Sequence, residues 1–106
     1  MASFTITPIE KGIMKCKHTG EFSPEDVQAL AKFFDDYSGK LIVDLSDTTA
    51  EECERNIKNF RPMMPTTAIF GAELPENLTE ITESYYTKEV KIFNTESEAM
   101  DWLRNQ

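Results

Sequence analysis

The chain is poor in the residues that build most recognisable sites. Its 106 residues include one histidine, two cysteines and four glycines. Cys16 and Cys53 stand alone, which excludes a CxxC metal knuckle or redox pair and points to two buried thiols in a reducing compartment. The scarce glycines form neither GxxxxGK[ST] nor GxGxxG, so both nucleotide fingerprints are missing and no cofactor is expected. No apolar run approaches the ~20 residues that a membrane span needs. The opening Met1-Ala-Ser-Phe-Thr has neither the basic nor the apolar region of a signal peptide, so the cytoplasm is the expected location. Positive charge is also short: 11 Lys and Arg face 19 Asp and Glu, a net charge of −8. A duplex binder shows a basic stripe and anionic lipid attracts basic segments, so neither nucleic acid nor a membrane surface is an expected partner. A protein partner with a basic face suits this balance.

What is present is a globular composition, 40% apolar and 28% charged, in a length that fits one domain over 1–106. Phe4-Thr-Ile6-Thr-Pro8 alternates as an edge strand does, and Pro8 is harmless there. Ile13 to His18 alternates again after the Glu10-Lys11-Gly12 turn, with Met14, Cys16 and His18 on one face, so a hairpin is predicted. Ser23-Pro24-Glu25-Asp26 starts a helix with a cap, a proline at the first position and acids in the first turn. Val27, Leu30, Ala31 and Phe34 give that helix its stripe, and Gly39 ends it in the left-handed conformation.

The chain is organised around Lys40-Leu-Ile-Val-Asp44-Leu-Ser-Asp47-Thr-Thr49. Leu41 to Leu45 reads as a buried strand with Leu41, Val43 and Leu45 on one face and Ile42 and Asp44 on the other. Thr49-Ala50-Glu51-Glu52 is a capping box, and Ala50, Cys53, Ile57 and Phe60 continue at helical spacing until Pro62. Thr66–Phe70 is a further strand. Pro75 starts a helix carrying Leu78, Ile81, Thr82 and Tyr85. Val90–Phe93 is the last strand. Thr95-Glu96-Ser97-Glu98 caps a closing helix with Ala99, Trp102 and Leu103 inside. The order β-β-α-β-α-β-α-β-α predicts an α/β fold: a mostly parallel sheet with an antiparallel first edge strand. Asp44 and Lys91 interrupt one sheet face, so most helices should lie on the other.

In such a sheet the turns His18–Ser23, Asp44–Thr49, Gly71–Pro75 and Asn94–Thr95 share one rim, where α/β proteins usually place their chemistry. Asp44, Ser46, Asp47, Thr48, Thr49 and Glu51 are its candidate binding residues. Free helix N–H groups there attract anions, but Asp47, Glu51, Glu73 and Glu96 oppose phosphate. His18 reads either as a strand-end histidine with a local hydrogen bond, as a general base, or as a metal ligand with Cys16 and an acid. Asp44 and Asp47 with Ser46 suit a divalent cation, or Asp47 and Thr49 merely cap a helix. Met63 and Met64 form either an adaptable contact surface or a plug for the core. Of Tyr85 and Tyr86, one packs and one faces water. An apolar pocket near Phe33, Met63, Phe70 and Phe93 is the alternative site.

Asp44-Leu-Ser-Asp47-Thr, Phe60-Arg-Pro-Met-Met-Pro65, Lys88-Glu-Val-Lys-Ile-Phe93 and Ala99-Met-Asp-Trp-Leu103 together resemble the SpoIIAA-like superfamily. That superfamily includes the STAS domains, and the likeness is to its small single-domain bacterial branch. The resemblance implies a non-catalytic regulatory or protein-interaction module; no metal is expected from the residues themselves. Anti-anti-sigma members carry a phosphorylatable Ser in an Asp-Ser-Ser-Gly turn. Here the region runs Asp47-Thr-Thr-Ala-Glu-Glu-Cys53, with Thr48 or Thr49 as the phosphoacceptor. Other members resemble carriers of lipid or small apolar ligands, which is the alternative reading. A homodimer that covers the partly open sheet face is compatible with both.

Overall fold

A computed structural model of the chain describes residues 4–35, 37, 39–59, 66–78, 80 and 89–106. The expected connector through Met63 and Met64, the Ile57 and Phe60 side chains, and Ile81, Thr82, Tyr85 and Tyr86 lie outside the described residues. Five strands form one sheet in the order β1-β2-β3-β4-β5. They are β1 (Phe4–Glu10), β2 (Ile13–His18), β3 (Lys40–Asp44), β4 (Thr67–Phe70) and β5 (Val90–Phe93). The described helices are α1 (Pro24–Asp35), α2 (Ala50–Asn59) and a closing helix, here α3 (Glu96–Arg104).

The β1–β2 hairpin is antiparallel and turns at Gly12, whose φ of 81° few other residues adopt. Pro8 lies within β1, and the register slips between Pro8 and Glu10, a bulge that suits an edge. Every later pairing is parallel. Lys17, Asp44, Phe70 and Phe93 stand in one row across the sheet, so the strand ends do share a rim. The mostly parallel α/β sheet with an antiparallel first strand is thus as the element order predicts.

Sequential strands are spatial neighbours throughout. Each parallel crossover therefore steps the same way, and right-handed crossovers then fall on one face. On that face Leu41, Val43, Leu45 and Ile69 pack with Leu30 and Phe34 of α1, Cys53 of α2 and Leu78. The opposite face holds Ile13, Ile42, Ala68 and Phe70 under Ala99, Met100 and Leu103 of α3. This second layer covers only part of its face. Thr5 and Thr7 alternate to the same side beyond it and are exposed.

Local details differ from expectation in physically readable ways. Ala31 is exposed, while Asp26 is buried. The Asp26 carboxylate accepts from the Ser23 N–H at 3.0 Å, and the Ser23 hydroxyl accepts from the Asp26 N–H at 3.2 Å. The acid thus closes a reciprocal cap. At Gly39 the Tyr37 ring and the Gly12 carbonyl leave no room for a side chain: an added Cβ would lie 2.7 Å from that oxygen. The Tyr37 hydroxyl donates to the Lys40 carbonyl at 2.6 Å. Trp102 is half-buried rather than a core anchor, its ring 5.8 Å from that of Phe93. Met100 takes the buried place.

Candidate functional site

At the rim, β3 ends on Asp44, which is buried. One carboxylate oxygen, Oδ1, accepts from the Ser46 N–H at 2.9 Å and from the Ser46 hydroxyl. This local turn sends the chain out of the strand toward α2. The other oxygen, Oδ2, lies 3.5 Å from Lys15 Nζ. Lys15 also donates to Glu96 Oε1 at 3.0 Å and stands over the Phe70 ring at 5.9 Å. A single ammonium thus ties β2, β3 and the first turn of α3 together. Its neighbour on the same face, Lys17, pairs with Asp47 at 3.0 Å in the open.

The electrostatics follow from these contacts. Burial opposes the charge on Asp44, but the two Ser46 hydrogen bonds and the Lys15 ammonium outweigh it, so its carboxyl sits below the usual range. Burial likewise opposes the charge on Lys15, yet Glu96 and Asp44 hold it above the ordinary lysine value. The two shifts agree that this is a charged, mutually satisfied cluster.

Downstream, Thr48 is buried and its hydroxyl donates to the Leu45 carbonyl at 3.0 Å. Thr49 is exposed and caps α2: its hydroxyl accepts from the Glu52 N–H at 3.1 Å. Glu52 returns the bond by accepting from the Thr49 N–H at 2.9 Å. This is the predicted capping box. Ser46, Asp47, Thr49 and Glu51 face outward.

Both oxygens of Asp44 are committed, so it is poorly placed as a base or as a cation ligand. Among the described residues no group of three or more His, Cys, Asp or Glu could hold a metal ion. His18 lies on the other sheet face, opposite Phe4 in the hairpin. The local hydrogen bond expected of it is not there: its Nδ1 is buried and without a partner. Burial drives its pKa down to about 3, against a small opposing pull from Asp44. The ring packs against Phe22 at 4.5 Å, and its Nδ1 meets no hydrogen-bond partner. Cys16 is buried on the same face, its thiol pushed up to about 12 by burial, so it is no thiolate ligand or nucleophile. Cys53 is raised to about 12 by burial and by the Glu54 charge.

The apolar pocket requires correction. Phe33 packs on the α1 and α2 side, whereas Phe70 and Phe93 belong to the layer under α3. The sheet separates them, because Phe70 and Phe93 are register neighbours whose side chains alternate to the α3 face. Met63 lies outside the described residues. An open cleft of about 660 Å³ exists at the opposite end of the strands, by Glu10, Lys11, Gly39, Lys40 and Arg104. Its charges hold structure: Lys40 donates to the Leu103 and Gln106 carbonyls at 2.7 and 2.8 Å, and Arg104 pairs with Glu10.

Two residues matter more than sequence reasoning suggests. Lys15 was legible only as a strand residue, although its alternation to the Asp44 face is the signal for a cross-strand pair. Asn56 is fully buried on α2. It accepts from the Phe22 N–H at 2.7 Å and donates to the Gly20 carbonyl at 2.8 Å, fastening the β2–α1 connector. Its signal is a polar residue three positions after Cys53, on the stripe itself. Among the described residues no helix is long and apolar enough to cross a membrane. No protein-family model matches the chain, and no curated protein is found to be similar to it.

Proposed function

We propose that the chain is a non-catalytic, STAS-like interaction module that docks a partner protein on the rim from Asp44 to Thr49 and the first turn of α2. The observation that carries this reading is the division of labour at the rim. Asp44 and Thr48 are buried and, with the half-buried Lys15, satisfied within the fold, while Ser46, Asp47, Thr49 and Glu51 stand exposed, three of them with contacts of their own inside the fold, and form no nucleophile–base pair. The strand order lends further support. Open α/β sheets hold ligands in the crevice where strand order reverses, and this order has no reversal among its parallel strands. A basic complementary surface suits the exposed acids. Of the two candidate phosphoacceptors, Thr49 is the accessible one.

Charge reversal tests the reading. Asp47→Lys with Glu51→Lys should remove a partner that the unaltered chain captures from its host, while Glu25→Lys on α1 leaves capture intact. A partner indifferent to the rim pair, or none at all, sinks the proposal.

A further inference from the structure

We infer that the connector between β2 and α1 is an acid-triggered flap, in which proton uptake by His18 releases Phe22 and uncovers the apolar ground beneath it. The inference is independent of the interaction reading, since it concerns the free chain.

The geometry is that of a latch with few fastenings. His18 closes β2 and is 6% exposed; Phe22 is 6% exposed as well. Their rings lie 4.5 Å apart, and the Phe22 ring meets Phe4 edge-on at 6.0 Å. Between them Gly20 turns the chain at φ 107°. The Phe22 N–H and the Gly20 carbonyl are both held by one side chain, Asn56. An open groove of about 420 Å³ is lined by Phe22 together with Ser23, Pro24, Val27 and Gln28, and His18 is not part of its lining. A neutral imidazole fits this pocket with Nδ1 unpaired. A protonated one carries a second N–H donor and a full charge into apolar surroundings, which is costly unless the ring reaches water. Lifting the connector, which carries the Phe22 ring packed on the imidazole, provides that.

The charged and titratable neighbours do not supply an alternative trigger. Asp44 on β3 acts on His18 through space and favours its charge, but its carboxyl stays ionised across mild acid. The Cys16 and Cys53 thiols, raised to about 12, stay neutral. Glu21 pairs with Arg55 across the connector. Glu52 lies 3.6 Å from where a side chain on Gly20 would begin. Lys17 is paired with Asp47.

The test is protection of the Phe22 amide against hydrogen exchange, corrected for intrinsic chemistry, from about pH 7.5 to about pH 4.5. Protection should fall about tenfold per pH unit below about 6.5, because opening is then linked to one proton. The Leu41 and Leu45 amides, bonded to the Thr66 and Phe70 carbonyls, should stay more protected than Phe22 at every pH. The slope should persist in Glu21→Gln and Glu52→Gln and vanish in His18→Leu and His18→Gln. Should those two variants not fold, the His18 ring resonance of the unaltered chain decides, being the only histidine signal. A ring that stays neutral while Phe22 is protected supports the flap. A ring that titrates near 6.5 with Phe22 still protected overturns it, as does Phe22 protection that is flat with pH or merges with that of Leu41 and Leu45.

Discussion

Asn56 and His18 show how much one buried polar side chain can decide. Asn56 makes two hydrogen bonds to a connector otherwise held by the Glu21–Arg55 pair and the buried Phe22 ring. Asn56→Ala leaves the Phe22 N–H buried without a partner, and a loss of about 2–4 kcal/mol is expected in a urea titration. His18 makes stability depend on acid. Its folded value of about 3 lies below the ordinary 6.5, so the unfolded chain binds the proton first. The neutral ring's contribution is complete above pH 6.5, shrinks as pH falls through that value, and stops shrinking near 3. Unfolding free energy at pH 5 should be about 2 kcal/mol below that at pH 7, and His18→Leu should flatten the difference. Asp44, held below its usual range, adds its own loss only at still lower pH.

At the level of elements, the helix starts are local chemistry and the strand ends are not. The α3 cap joins the Thr95 hydroxyl to the Glu98 N–H at 3.2 Å. Thr95→Ala should cost about 1 kcal/mol, read as a lower thermal midpoint with an unchanged Lys15 environment. The boundaries of β2, β5 and the caps at Ser23, Thr49 and Thr95 could be read from the chain, because alternation and capping act within a few residues. The Lys15–Asp44–Glu96 cluster could not be assembled that way: its members are far apart in sequence and meet only through the register of β2 on β3 and the return of α3. Asn56 was hidden for the same reason, its partners being set by where the connector passes. The crowding of Gly39 by Tyr37 is a tertiary contact that asks for the same residue as a helix end does, so the glycine alone does not reveal it. The rim residues Asp44 to Thr49 were legible as a place, but not their division into buried anchors and outward contacts.

For the whole molecule, winding in one direction puts α1 and α2 on one face, and among the described helices α3 covers the other. That single helix covers Ile42, Ala68 and Phe70 with Ala99, Met100 and Leu103. Leu103→Ala should cost about 2–5 kcal/mol. Removing residues 96–106 should leave an exposed apolar sheet face that binds a hydrophobic dye and drives aggregation, measured by dye fluorescence and light scattering.

The anchorage of Lys40 has a practical corollary. Gln106 is tethered at the foot of β3, while Phe4 lies opposite His18 at the top of the sheet. Phe4 and Gln106 thus lie at opposite ends of the sheet, ~17 Å or one strand length apart. A label or surface tether fused after Gln106 starts at the end of the sheet away from Asp47, whereas one placed ahead of Phe4 starts at the same end as Asp47. Immobilisation chemistry alone could therefore reverse the outcome of a capture assay.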